Sequence, residues 1–148
     1  MNIHFTPMTL AYAKQIDSWN YEGFVEQVMM TPYFESLSET GQLIGPGGCD
    51  GFIAIYNDEP IGLFEFNVED QGLEIGLALK PEFTGKGWGE EYVKQGIDFG
   101  IRHYTTSFTH VQLVVEKENK AAIRVYEKVG FQKQKISESD MEMKLELT

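Results

Sequence analysis

Cysteine occurs once in this 148-residue chain, at Cys49. One thiol excludes an internal disulfide and any cysteine-based zinc site, and it fits a reducing compartment. Basic residues are almost missing from the first half. Residues 1–79 hold only Lys14 against twelve Asp and Glu, so this half carries 1 − 12 = −11. Residues 80–148 balance eleven acidic against eleven basic side chains, which leaves the whole net charge of −11 in the first half. Such acidity argues against nucleic acid as a partner, because phosphate binding needs a basic face. Two readings remain: an acidic surface that keeps the protein soluble, or a region that receives something cationic. No apolar run approaches the roughly 20 residues that cross a bilayer. The opening Met1-Asn2-Ile3-His4-Phe5 lacks the basic-then-apolar pattern of a secretory signal. A soluble cytoplasmic protein with no membrane partner is expected. At 42% hydrophobic and 24% charged the composition is that of a globular chain. No repeat or linker divides it, so a single domain over 1–148 is expected, as a monomer or homodimer.

Periodicity then orders the elements. Residues 3–6 have the pattern of a short strand. Thr9 is placed to cap a helix carrying Leu10, Ala13, Ile16 and Trp19 or Asn20 at helical spacing. A second helical stretch is expected over 22–38, with Phe24 and Val28 and a break or bend near Pro32. Residues 41–51, with five glycines and one proline, read as loop. Strands are expected at 51–56, 61–68 and 73–79. Their connections, Asn57-Asp58-Glu59-Pro60 and Glu69-Asp70-Gln71-Gly72, are too short for crossovers, which predicts an antiparallel meander. A glycine-rich loop at 84–89 opens a helix with Val93, Ile97, Gly100 and Ile101 on one face. A strand at 111–115, a helix over 119–129 ended by Gly130, and strands at 131–137 and 141–147 complete the chain. This order predicts an α+β fold with a central mixed, mainly antiparallel sheet flanked by helices.

The strongest chemical signal is Thr84-Gly85-Lys86-Gly87-Trp88-Gly89. Alternate glycines leave backbone N–H groups unobstructed just before a helix start, where further N–H groups lack partners. Such a place favours phosphate or pyrophosphate; the plain alternative is a strand-to-helix turn. Two nucleotide motifs fail on spacing. Lys86 is followed by Gly87 and not by Ser or Thr, and the third glycine of a dinucleotide fingerprint would fall on Glu90.

The loop resembles the Arg/Gln-x-x-Gly-x-Gly/Ala motif of the GNAT superfamily of acyl-CoA-dependent N-acetyltransferases. Gly87 and Gly89 stand in its fixed positions, and Thr84 replaces the usual Arg or Gln. A second stretch, Asn119 to Phe131, is similar to that family's Asn-x-x-Ala…Tyr-x-x-x-Gly-Phe helix. Ile16, Trp19 and Tyr21 resemble the first helix of some bacterial members.

The resemblance implies an N-acetyltransferase that moves an acetyl group from acetyl-CoA to a primary amine, with a non-catalytic acyl-CoA-binding module as the alternative. It implies that amides of Gly85, Lys86, Gly87, Trp88 and Gly89, with Thr84, contact the pyrophosphate. Backbone groups of Leu77, Ala78 and Leu79 on the fourth strand would hold the pantetheine arm, with Asn119 a nearby contact. Tyr126 matches the tyrosine that protonates the departing sulfur; the alternative is a tyrosine that only packs and hydrogen-bonds. For a phenol of pKa about 10 and a thiol of about 8.5 that transfer is uphill by about 2 kcal/mol in water. Glu74, on the fourth strand, is a candidate base and Glu65 a second; the plain alternative for each is a solvated or paired carboxylate, and water can take the proton instead. His4, His103 and His110 are scattered, so no metal site is expected. Glu22, Glu26 and Glu35 lie near Trp19, Tyr21, Phe24, Tyr33 and Phe34, a mixture of carboxylates and aromatic faces that suits a cationic amine acceptor.

Overall fold

The computed structural model describes residues 1–19 and 30–147. The strands are β1 (His4–Pro7), β2 (Asp50–Tyr56), β3 (Glu59–Glu69), β4 (Gly72–Leu79), β5 (His110–Glu116), β6 (Gln132–Ile136) and β7 (Asp140–Glu146). The helices are α1 (Leu10–Asp17), α2 (Thr31–Thr40), α3 (Gly89–His103) and α4 (Lys120–Val129). Seven strands form one sheet in the order β1-β2-β3-β4-β5-β7-β6. The β4–β5 pair is parallel, whereas β1–β2, β2–β3, β5–β7 and β6–β7 are antiparallel. The expected α+β architecture with a mixed, mainly antiparallel sheet is borne out. Contacts divide the chain into two compact units, Met1–Asn67 with Leu77–Thr84, and Val68–Gly76 with Gly85–Thr148.

In the first unit the Thr9 cap is present: Tyr12 N–H donates to Thr9 Oγ1 at 3.2 Å. The helix it starts buries Ala13 and Ile16. These pack with Met8, Trp19, Met30 and Tyr33 on Ile53 and Leu63, which face each other across β2 and β3. The helix expected from residue 22 lies partly outside the described residues, Phe24 and Val28 included. Of the break or bend expected near Pro32, the structure shows a boundary: α2 starts at Thr31 after the non-helical Met30, with Pro32 in its first turn. The missing proline N–H costs nothing there, because first-turn N–H groups have no helical acceptor anyway.

In the second unit alternation along β5 buries Val111, Leu113 and Val115 and turns Gln112 and Val114 the other way. Leu73 and Ile75 of β4, Met141 and Met143 of β7, and Tyr92, Val93 and Ile97 of α3 are likewise buried. The parallel β4–β5 register runs over three pairs and ends at Glu74↔Gln112. The amphipathic helix α4 buries Ile123 and lies close to the start of α3. A side chain at Gly89 would bring its Cβ to 3.1 Å from Val125 Cγ2.

Candidate active site

The glycine loop follows β4 through one 3₁₀ turn, Pro81–Phe83. Thr84 folds back on that turn, donating its hydroxyl to the Pro81 carbonyl at 2.7 Å. Gly85 and Gly87 take φ of +72° and +80°, a left-handed backbone that side chains resist, and nothing lies within 4 Å of where a Cβ would stand. Among the described residues no acceptor takes a hydrogen bond from the N–H of Gly85, Lys86 or Gly87. Next along the chain, α3 begins without a side-chain cap, whereas Thr9 caps α1 and Asn119 caps α4. Unclaimed donors and the positive end of a fifteen-residue helix therefore meet at an exposed surface with open space at Gly85 and Gly87. The residues fit a pyrophosphate. Glu90 and Glu91 stand in the same helical turn, and Glu90 is paired with Lys94 at 2.8 Å. Gly89 differs from its two companions, since its lack of a side chain admits Val125.

On α4, Asn119 acts through its side-chain oxygen as a cap, accepting from Ala122 N–H at 3.2 Å. Replacing Asn119 by Ala should therefore lower stability by about 1 kcal/mol, read from the midpoint of urea unfolding. Tyr126, two turns on, is half-buried. Its ring meets Phe131 edge-on, with centroids 5.9 Å apart. Among the described residues its hydroxyl has no hydrogen-bond partner. Burial pushes the phenol up to about 12, so it stays protonated well above neutrality.

Leu77, Ala78 and Leu79 at the end of β4 are each half-buried, as is Glu74. Glu74 lies in the second unit and lines a cavity of about 180 Å³ with Gln112, Val114, Gln134, Glu142 and Lys144. Partial burial, then the charges of Glu69 and Glu142, push its carboxyl above the ordinary value. Neither Glu142 nor the carboxamides that complete this cavity stood out in the sequence. They come from three strands, and β5 and β7 carry no motif that joins them to Glu74.

Glu65 sits elsewhere and is committed elsewhere. The buried Tyr33 donates its hydroxyl to Glu65 Oε2 at 2.6 Å, and the Cys49 sulfur lies beside the phenol, both within 3 Å of where a Gly45 Cβ would stand. Gly45 and Gly51 leave no space for a Cβ beside the Tyr33 hydroxyl, which fixes the phenol from two sides. Burial and the Glu65 charge push the Cys49 thiol up to about 12. Burial raises the Glu65 carboxyl, against the lowering effect of Tyr33 and Cys49. Carboxylate and phenol tie β3 to α2, with the thiol packed beside them.

A family model described as acetyltransferase (GNAT) family matches residues 13–131. The chain is 30% identical over 111 residues to the spermidine N(1)-acetyltransferase of Escherichia coli (strain K12), an alignment covering 75% of this chain and 55% of that protein. It is 35% identical over 128 residues to the uncharacterized N-acetyltransferase p20 of Bacillus licheniformis, covering 78% of this chain and 70% of that one. The fold matches the N-acetyltransferase PseH of Campylobacter jejuni, solved with acetyl coenzyme A, at a TM-score of 0.75 and 17% identity, over 99% of this chain and 100% of that one. The chain belongs to the GNAT acetyltransferase family. It spans about half the length of the spermidine acetyltransferase it matches.

Proposed function

We propose that this protein transfers an acetyl group from acetyl-CoA to a primary amine of a cationic acceptor. The observation that carries the reading is the pair of left-handed glycines, Gly85 and Gly87, with unclaimed N–H groups at the uncapped start of α3. Bound acetyl-CoA would supply a thioester carbonyl to the acceptor amine. The amides of Gly85 to Gly89 hold the pyrophosphate in this reading, and backbone groups of Leu77, Ala78 and Leu79 hold the pantetheine arm. Glu74 takes a proton from the acceptor ammonium, leaving the nitrogen lone pair free to attack. Tyr126 gives its hydroxyl proton to the departing sulfur. Family membership and the spermidine acetyltransferase among the relatives support this assignment.

The cationic acceptor is supported by the charge of −11 carried by residues 1–79. Of the residues named for it, Glu22, Glu26, Tyr21 and Phe24 lie outside the described residues. Trp19 and Tyr33 are buried in the core, and Glu35 is exposed on α2. Charge attraction between an acidic surface and a soluble cation is screened over about 8 Å at physiological salt. The test is a panel of matched cationic and neutral amines with acetyl-CoA, followed by release of free thiol across a salt series. Polycationic amines should be preferred, with an apparent KM that rises with ionic strength. A preferred acceptor that is neutral, or a KM indifferent to salt, would count against the cationic assignment. Tight CoA binding with no thiol release from any amine would favour a non-catalytic acyl-CoA sensor.

A further inference from the structure

The cavity beside Glu74 contains more negative charge than one base requires. Glu74 on β4 stands opposite Gln112 on β5. Gln112 donates its amide N–H to Glu69 Oε2 at 3.3 Å, and its amide oxygen lies 3.1 Å from His110 Nε2, so the carboxamide is held at both ends. On the next strand Glu142 faces Val114 and lines the same cavity as Glu74. Lysines are nearby, but among the described residues none forms an ion pair with Glu74 or Glu142. Lys144 lines the cavity and holds Glu146 at 3.2 Å. Lys135 lies across from Glu142 in the β6–β7 register without an ion pair to it. His110 is turned to Gln112 on one side and Thr109 on the other.

We propose that Glu69 and Glu142 are positioning residues that act through Glu74, flanking it with like charge and so making it a stronger base than an isolated glutamate. The inference rests on the reading of Glu74 as the base. Negative charge on either side opposes the loss of the Glu74 proton, and this opposition is relieved when Glu74 takes a proton from the acceptor ammonium. The proton passes from the ammonium nitrogen to the Glu74 carboxylate, and the freed lone pair is the nucleophile. The upward direction of the Glu74 carboxyl, with Glu69 and Glu142 as its charge causes, agrees with this geometry.

The test uses the full chain with ¹³C-labelled glutamate carboxyls, the Glu74 signal being identified by its loss in E74Q. Its titration is followed in wild type, E69Q, E142Q and E142D, beside the pH profile of kcat/KM. Glu142 is exposed on its strand, so the fold should tolerate both of its variants. The Glu74 midpoint should move to lower pH in E69Q and E142Q and return towards wild type in E142D. The acid limb of kcat/KM should move the same way, and E74Q should lose that limb. A Glu74 midpoint unchanged in both glutamine variants overturns the proposal, whatever the kinetics. An acid limb that survives in E74Q removes Glu74 as the base and overturns the positioning role with it, even if the carboxyl titration shifts.

Discussion

Tyr126→Phe should lower kcat by roughly a hundredfold with little change in CoA affinity, because only a proton donor is removed, and positioned proton transfer contributes about 10²- to 10⁴-fold. The buried environment sets two further features of this result. An acid near 12 gives its proton to a thiolate of ordinary pKa about 8.5 at a cost of roughly 5 kcal/mol, against about 2 kcal/mol for an unburied phenol. The transfer therefore belongs with collapse of the tetrahedral species, when the sulfur departs and its charge is rising, and a solvent isotope effect on kcat should report it. The sign of the pH dependence also follows. The acid form is lost only as pH rises through about 12, so Tyr126 should impose no basic limb on the profile below pH 10. A Phe variant with near-normal kcat, under conditions where chemistry limits the rate, would reduce Tyr126 to the ring that packs on Phe131.

Gly87→Trp should abolish measurable CoA binding while the fold persists. No atom lies within 4 Å of the added Cβ, so the folded-state cost is confined to a left-handed backbone, about 1–2 kcal/mol. The bulk would cover the N–H groups of the loop. Each lost hydrogen bond to a charged group is worth about 1.5–3 kcal/mol, so two such losses weaken binding by roughly a hundredfold or more. Calorimetry with CoA gives the affinity, and thermal unfolding gives the stability. Gly89→Trp is a contrasting control, because its first added atom meets Val125 and should disturb the α3–α4 packing itself. Unchanged CoA affinity in Gly87→Trp would remove the loop from the site.

Much of this was legible in the order of residues because it depends on local rules. Apolar and β-branched runs bounded by turn residues located β2 through β5. Thr9 announced its helix through the capping oxygen alone. The glycines at 85 and 87 were readable because a left-handed backbone selects glycine, and the structure places both there. Gly89 fits the same motif but is explained by Val125, a contact that depends on how α3 and α4 pack. Pro32 marked a helix boundary without saying of which kind: a proline can bend a helix or stand in its first turn, and here α2 starts at Thr31 with no side-chain cap. The candidate base was the least legible. A lone glutamate in a strand has the same signature whether it is bonded, as Glu65 is to Tyr33, or faces other carboxylates, as Glu74 does. The difference lies in partners far away in sequence.

The cluster of Glu65, Tyr33 and Cys49 has a practical consequence for spectroscopy and for the thiol assay. Cys49 is buried, and a thiol pushed up to about 12 stays protonated at pH 8. Maleimides and aromatic disulfide reagents react with thiolate, so the native protein should remain silent while free CoA is counted. A cysteine introduced on the exposed strand β6 would then take a fluorophore or spin label alone, with the wild-type thiol left in place. Stoichiometric labelling of the unmodified chain would in turn signal that α2 and the loop before β2 have parted from β3, which makes Cys49 a built-in reporter of local opening.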